Sequence, residues 1–187
     1  MTRRAALVLL ALLALPSAVQ AGVNRWTSIG PWGGPIRFTA EDPQTHFLYA
    51  GTTKGLYVSR NEGASWSLTA ASGSAVSAIA FSQTDSHVIY ASLDEGVILQ
   101  SRDSGMTWQE QGAIADTFVT SITVDFLGVV YVGSSIGIWR STDLGRTWTR
   151  PNSGIPESHI ADLAVVTSAG LVYAAASTGI YRSGDLG

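Results

Sequence analysis

Cysteine does not occur in the 187 residues. That excludes disulfides, thiolate catalysis and cysteine-based metal sites. Lysine occurs once, at Lys54, and the other basic residues are arginines scattered along the chain. Non-specific nucleic-acid binding needs a concentrated positive surface, so no nucleic-acid partner is expected. The three histidines, His46, His87 and His159, show no close metal-ligand spacing, and neither a metal nor another cofactor is expected. After residue 21 no apolar run is long enough to span a membrane. No convincing helical pattern appears there either.

The first residues, "MTRRAALVLLALLALPSAVQAG", place Arg3 and Arg4 before an apolar run from Ala5 to Leu15, followed by Pro16 and a small-residue end at Ala21. This is the pattern of a secretory signal peptide over residues 1–21, with cleavage expected after Ala21. The protein is therefore expected to be exported, periplasmic or extracellular, and not membrane-spanning once processed. Without Arg3 and Arg4, nine basic side chains face fourteen acidic ones, a net charge of −5 against −3 for the whole chain. An exported chain without disulfides must rely on its core.

What the rest of the chain does have is a repeat. Tyr49, Tyr90, Tyr131 and Tyr173 recur at intervals of 41, 41 and 42 residues. Gly55, Gly96, Gly137 and Gly179 keep the same phase. An apolar stretch precedes each Tyr segment: "IRFTA", "VSAIAF", "VTSITV" and "HIADLAVV". Each unit reads as strand A, a turn, strand B around the Tyr, a short turn, strand C, a recurring octet, then strand D near a Trp. Short β-branched and aromatic runs between Gly, Asp, Asn and Ser are all-β signals. Four such strands per unit make the blade of a β-propeller.

The fold class is thus all-β, a β-propeller of four-stranded antiparallel blades, with four blades over residues 22–187. "RWTSIG" reads as a strand D without its own A, B and C, because Trp26 lies 40 residues before Trp66. Pairing it with the last blade gives a closed four-bladed ring. The last octet, however, stops between its Gly and the Thr-Trp the others carry. The chain therefore reads as the N-terminal part of a larger ring.

The octets are "SRNEGASW" from Ser59, "SRDSGMTW" from Ser101, "STDLGRTW" from Ser141 and the shortened "SGDLG" from Ser183. Their shared form places Ser, then Asp two residues on, then Gly, then Trp. Asp and Ser side chains bond nearby backbone N–H groups and hold tight turns. Gly accepts positive φ. The Trp offers a large ring to bury. The marked positions are Ser59, Asn61, Gly63 and Trp66; Ser101, Asp103, Gly105 and Trp108; Ser141, Asp143, Gly145 and Trp148; and Ser183, Asp185 and Gly187. Asn61 stands where the other copies have Asp. It makes a similar turn, whereas a catalytic carboxylate would not survive that change.

This pattern resembles the Asp-box, or bacterial neuraminidase repeat, of β-propellers. The start of the mature chain, "WTSIGPWGGPIRFTAEDP" with "LYAGT" after it, is similar to a bacterial group that includes photosystem II assembly-factor-like proteins, sortilin-type receptors and xyloglucanases. The resemblance implies that the boxes lie between strands C and D, opposite the usual ligand face. It implies a structural role for Asp103, Asp143 and Asp185. It does not fix a function, because the scaffold carries both binding and hydrolysis.

If the boxes lie on one face, the B–C turns and D–A connections lie on the other. The candidate ligand-face residues there are Trp32, Lys54, Asp94, Glu95, Glu110, Asp116, Arg150, Glu157 and His159. A glycosidase needs two facing carboxylates. Asp94 and Glu95 are the only candidates for catalysis, and as neighbours they are expected to point differently. The xyloglucanase resemblance implies an acid Asp after "YA-x-T", but Thr53 stands there. The sialidase resemblance implies an early Arg-Ile-Pro, but the chain has "PIRF" with Arg37 in a strand pattern. The expected function is a non-enzymatic binding or assembly scaffold with a protein or glycan partner. The alternative is the N-terminal part of an exported glycoside hydrolase of xyloglucanase or sialidase type.

Overall fold

The computed structural model describes residues 27–115, 117–151, 154–155, 158–166 and 169–185. The expected signal peptide and Trp26 lie outside them. The described residues fold into fourteen strands in four antiparallel sheets. The first holds β1 (Ile36–Glu41), β2 (Leu48–Thr52), β3 (Gly55–Ser59) and β4 (Ser67–Ala70) in that order. The second holds β5 (Val76–Phe81), β6 (Ile89–Leu93), β7 (Val97–Ser101) and β8 (Gln109–Ala113). The third holds β9 (Val119–Val124), β10 (Val130–Ser134) and β11 (Gly137–Ser141). The fourth holds β12 (Ile160–Val166), β13 (Leu171–Ala176) and β14 (Gly179–Ser183).

The second strand of each of the first three sheets is well enclosed, because it is paired on both sides and buried on both faces. The residues of β10 are all buried, and Tyr49, Tyr90 and Tyr131 are buried on β2, β6 and β10. The sheets stack in chain order, β1 and β2 on β5, β5 and β6 on β9, and β9 and β10 on β12. One apolar cluster fills each seam. Tyr49, Leu56 and Val58 of the first sheet meet Val76, Ile89 and Ala91 of the second. Tyr90 and Ile98 meet Val119, Ile122, Val130 and Val132. Tyr131 and Ile138 meet Ile160, Leu163 and Val172.

Strand D departs from expectation in two blades. In the third it shrinks to one bridge, Arg140 with Thr149. Pro151 follows two residues later, and a proline has no N–H to extend the ladder. In the fourth, no strand covers the outer edge of β14 among the described residues. Thr27–Gly30, the described part of "RWTSIG", belong to no sheet. His46 and His87 sit in the A–B turns ahead of β2 and β6. There their Nδ1 atoms lie 2.6 Å from Glu41 and 3.2 Å from Asp85.

Candidate functional site

Strand ends sort the connections onto two faces. The octets and the A–B turns lie at one end of the strands, and the B–C turns and D–A connections at the other. The octet end is a set of self-contained hydrogen-bonded turns. In the second blade, Ser101 Oγ donates to Asp103 Oδ1 at 2.8 Å and accepts from Gly105 N at 2.8 Å. Asp103 also accepts from Thr107 N at 2.8 Å, Thr107 Oγ1 at 2.5 Å and Met106 N at 3.0 Å. The third blade repeats this with Ser141, Asp143, Gly145 and Thr147. These donors, the threonine hydroxyls foremost, hold both Asp103 and Asp143 down at about 2.

Asn61 keeps most of this network. Its Oδ1 accepts from Ser59 Oγ at 3.0 Å and Ser65 N at 2.9 Å, while its Nδ2 donates to Ser65 Oγ at 2.9 Å. In the fourth blade Ser183 Oγ donates to Asp185 at 2.6 Å, and Gly187 lies outside the described residues. The backbone also explains the motif. Glu62, Ser104 and Leu144 have positive φ, as do Gly63, Gly105 and Gly145 after them. Two successive left-handed residues make the turn, and the second position favours glycine.

The other face is built by four β-bulges. The A–B registers jump between Ile36 and Phe38, between Val76 and Ala78, and between Ile160 and Asp162. In the third blade Val119 pairs with Ser134 and Ser121 with Gly133. The extra residues are Arg37, Ser77, Thr120 and Ala161. A bulge leaves its residue outside the ladder and re-aims the side chain. Three of them, Arg37, Ser77 and Thr120, line a shallow depression of about 400 Å³ with Asp94, Phe118 and Val119. Arg37 donates to Asp94 as an ion pair. Ser77 Oγ lies 3.0 Å from Ser92 Oγ, and Thr120 Oγ1 donates to the Ile160 carbonyl at 2.5 Å. Phe118 is 66% exposed at the rim. Asp94 is the sole carboxylate among the lining residues.

The expected ligand-face residues divide accordingly. Asp94 enters the depression, while Glu95 is exposed on the same turn and is not among its lining residues. Lys54 is exposed on the β2–β3 turn, and Trp32, 85% exposed, sits on the loop leading into β1. That loop meets the Lys54 turn, where Thr53 N donates to the Pro35 carbonyl at 3.1 Å. Arg150, half-buried, donates to the Ile136 carbonyl and places its guanidinium 5.8 Å from the Trp139 ring centre. His159 is exposed and its carbonyl accepts from Ser177 N at 2.9 Å. Glu110 is exposed on β8 rather than in a connection. Asp116 and Glu157 lie outside the described residues. Arg37, Ser77, Phe118 and Thr120 line this mouth although their residue types do not mark them in the sequence. The only signal for them was position, at the start of each strand A.

Among the described residues, no group of three or more His, Cys, Asp or Glu is placed to hold a metal, and no helix is long and apolar enough to cross a membrane. No protein-family model and no curated protein matches the chain. Solved structures do. A GH74 xyloglucanase from Xanthomonas campestris superposes with a TM-score of 0.65 at 19% identity, over 87% of this chain and 31% of that one. YCF48 bound to D1 peptide superposes with a TM-score of 0.60 at 16% identity, over 78% and 49%. The computationally designed Ika4 protein superposes with a TM-score of 0.63 at 14% identity, over 83% and 94%. The fold is that of a β-propeller. The chain spans less than a third of the length of the xyloglucanase it matches.

Proposed function

We propose that this chain is an exported Asp-box β-propeller that acts as a non-enzymatic binding or assembly scaffold for a protein or glycan partner. One observation carries the reading. The mouth depression sets a guanidinium, two hydroxyls and an exposed phenyl ring around a single carboxylate, and that carboxylate is tied to Arg37. Such a mixture of hydrogen-bonding groups and an aromatic surface suits recognition of an extended peptide or sugar. It does not supply the opposed acid and base of glycoside hydrolysis. The likeness to YCF48 bound to a peptide supports a binding role for the same scaffold. The octets then serve as structural boxes, since their carboxylates are consumed within their own turns.

The second reading is the N-terminal part of an exported glycoside hydrolase, favoured by the likeness to a GH74 xyloglucanase. Thr53 stands where that resemblance implies the acid, which weighs against it. The two readings separate in one experiment. Binding to glycan and peptide panels is measured alongside release of reducing sugar from xyloglucan and sialosides. The scaffold reading expects binding that Arg37→Ala weakens, with no sugar released. Hydrolysis lost in Asp94→Ala with Glu95→Ala, with folding intact, overturns it.

A further inference from the structure

A recess of about 190 Å³ lies in the seam between the second and third blades, at the octet end, away from the mouth. Ser82, Val88, Tyr90 and Gln100 of the second blade wall one side, and Val124 and Leu144 of the third wall the other. The tyrosine is the anomaly there. Its two counterparts each have an acceptor. Tyr49 OH donates to the Ser104 carbonyl at 3.1 Å, and Tyr131 OH donates to the Asp125 carboxylate at 3.2 Å. Tyr90, 1% exposed, holds the same place on β6 but accepts a hydrogen bond, from Gln100 Nε2 at 2.7 Å. Arg102 Nε donates to Gln100 Oε1 at 3.0 Å, which fixes the amide with its NH2 group toward the phenol. The Tyr90 proton is therefore left for an acceptor that no described residue supplies.

The third blade shows what that acceptor is. Ser82 N donates to the Val88 carbonyl as Asp125 N donates to the Val129 carbonyl, so Ser82 stands where the third blade has Asp125. Gln100 pairs with Tyr90 as Arg140 pairs with Tyr131. The second blade thus lacks both the carboxylate and the guanidinium that surround the phenol of the third. Ser82 Oγ does not replace the carboxylate, since it accepts from Thr84 N and Asp85 N, each at 3.3 Å. Arg102 does replace the guanidinium. It lines the recess and uses its Nε on Gln100, which leaves its terminal nitrogens for a ligand. Asp85 also lines the recess and opposes an anion. It is exposed and bonded to His87, accepting from the backbone N at 3.0 Å with the ring Nδ1 at 3.2 Å, so water and these donors screen its charge.

We propose that this recess binds a small monocarboxylate with a short branched alkyl chain. The carboxylate accepts from the Tyr90 hydroxyl and from Arg102, in the role that Asp125 has for Tyr131. The alkyl chain lies against Val88, Val124 and Leu144. An ionised acceptor makes a stronger bond than a neutral one, and a buried donor without a partner is costly. A few convergent polar groups on apolar walls are the usual make-up of a small-molecule site.

The test is titration of the full chain with isovalerate at neutral pH, followed by two-dimensional amide NMR. Isovaleramide, of the same shape without the charge, is the comparison. Isovalerate is expected to shift the amides of Val88, Gly128 and Leu144, and isovaleramide to bind at least about tenfold more weakly. Tyr90→Phe removes the hydroxyl alone and is expected to weaken isovalerate roughly tenfold. Ser82→Asp supplies a carboxylate from within, as in the third blade, and is expected to abolish binding. Arg102→Gln, at an exposed side chain, is also expected to weaken binding roughly tenfold, and it keeps the test open if the two buried variants fail to fold. No shift in the wild type overturns the proposal. So does equal binding of the acid and the amide, or wild-type affinity in Arg102→Gln or in a folded Tyr90→Phe or Ser82→Asp.

Discussion

Tyr49 and Ser104 join the first two blades by a hydrogen bond of 3.1 Å, from a buried phenol on β2 to a backbone carbonyl in the next blade's octet. The equivalent tyrosines solve the same problem within their own blades. Tyr90 accepts from Gln100 Nε2 at 2.7 Å, and Tyr131 donates to Asp125 at 3.2 Å. Tyr49→Phe therefore acts on the seam, not on one blade. It leaves the Ser104 carbonyl without this donor at little change in volume. The expected cost is about 1 to 2 kcal/mol, a fall in Tm of roughly 2 to 8 °C, read by thermal denaturation.

The same burial sets an alkaline limit. Removal from water pushes Tyr49 and Tyr131 up to about 12 from 10. The neutral phenol is the form the fold favours, so this contribution is complete below pH 10. It declines as pH rises from 10 through 12, because the unfolded chain releases these protons first. Denaturant titrations across that window should show stability falling with pH. The slope should be shallower in Tyr49→Phe.

The octet carboxylates work in the opposite direction. Asp103 and Asp143 are held at about 2, so their contribution is present above the ordinary carboxylate value of 3.8 and is lost as pH falls through 2. Asn61 already shows what an amide does in this turn. Asp103→Asn is expected to lower Tm less than Asp103→Ala, because the amide oxygen still accepts from Ser101 and Thr107. The double variant Asp103→Asn with Asp143→Asn should lose less stability between pH 4 and 2 than the wild type. Thermal melts at the two pH values check both statements.

The repeat made most of the fold legible before any coordinates. Tyrosines and glycines in phase placed the B and C strands, and the octets announced the turns after them. Apart from Asp94, the lining of the mouth was not legible, because it is set by one extra residue in strand A. Arg37, Ser77, Thr120 and Ala161 share no residue type, so nothing in composition marks them. Only the register against β2, β6, β10 and β13 does. Arg37 in "PIRF" reads as the interior of a strand, yet the bulge turns it toward Asp94. The weak third strand D has a local cause in Pro151, which the spacing of the tryptophans does not reveal.

Close approach between blades gives the last prediction. A Cβ on Gly112 would stand 2.9 Å from the Gly145 carbonyl oxygen and 3.2 Å from that of Arg146. Both are backbone atoms of the third octet, fixed by the Ser141 and Asp143 bonds, so relief requires the two blades to separate. Gly73 is the control. Its φ of +86° strains any other residue, but nothing lies within 4 Å of its Cβ position. Gly73→Ala is expected to cost about 1 kcal/mol, from local strain alone. Gly112→Ala has no such strain and is expected to cost about 1 to 3 kcal/mol through the seam. Hydrogen exchange distinguishes the two mechanisms. Gly112→Ala should raise exchange at Gly145 and Thr147, on the far side of the seam, while Gly73→Ala leaves those amides as they are.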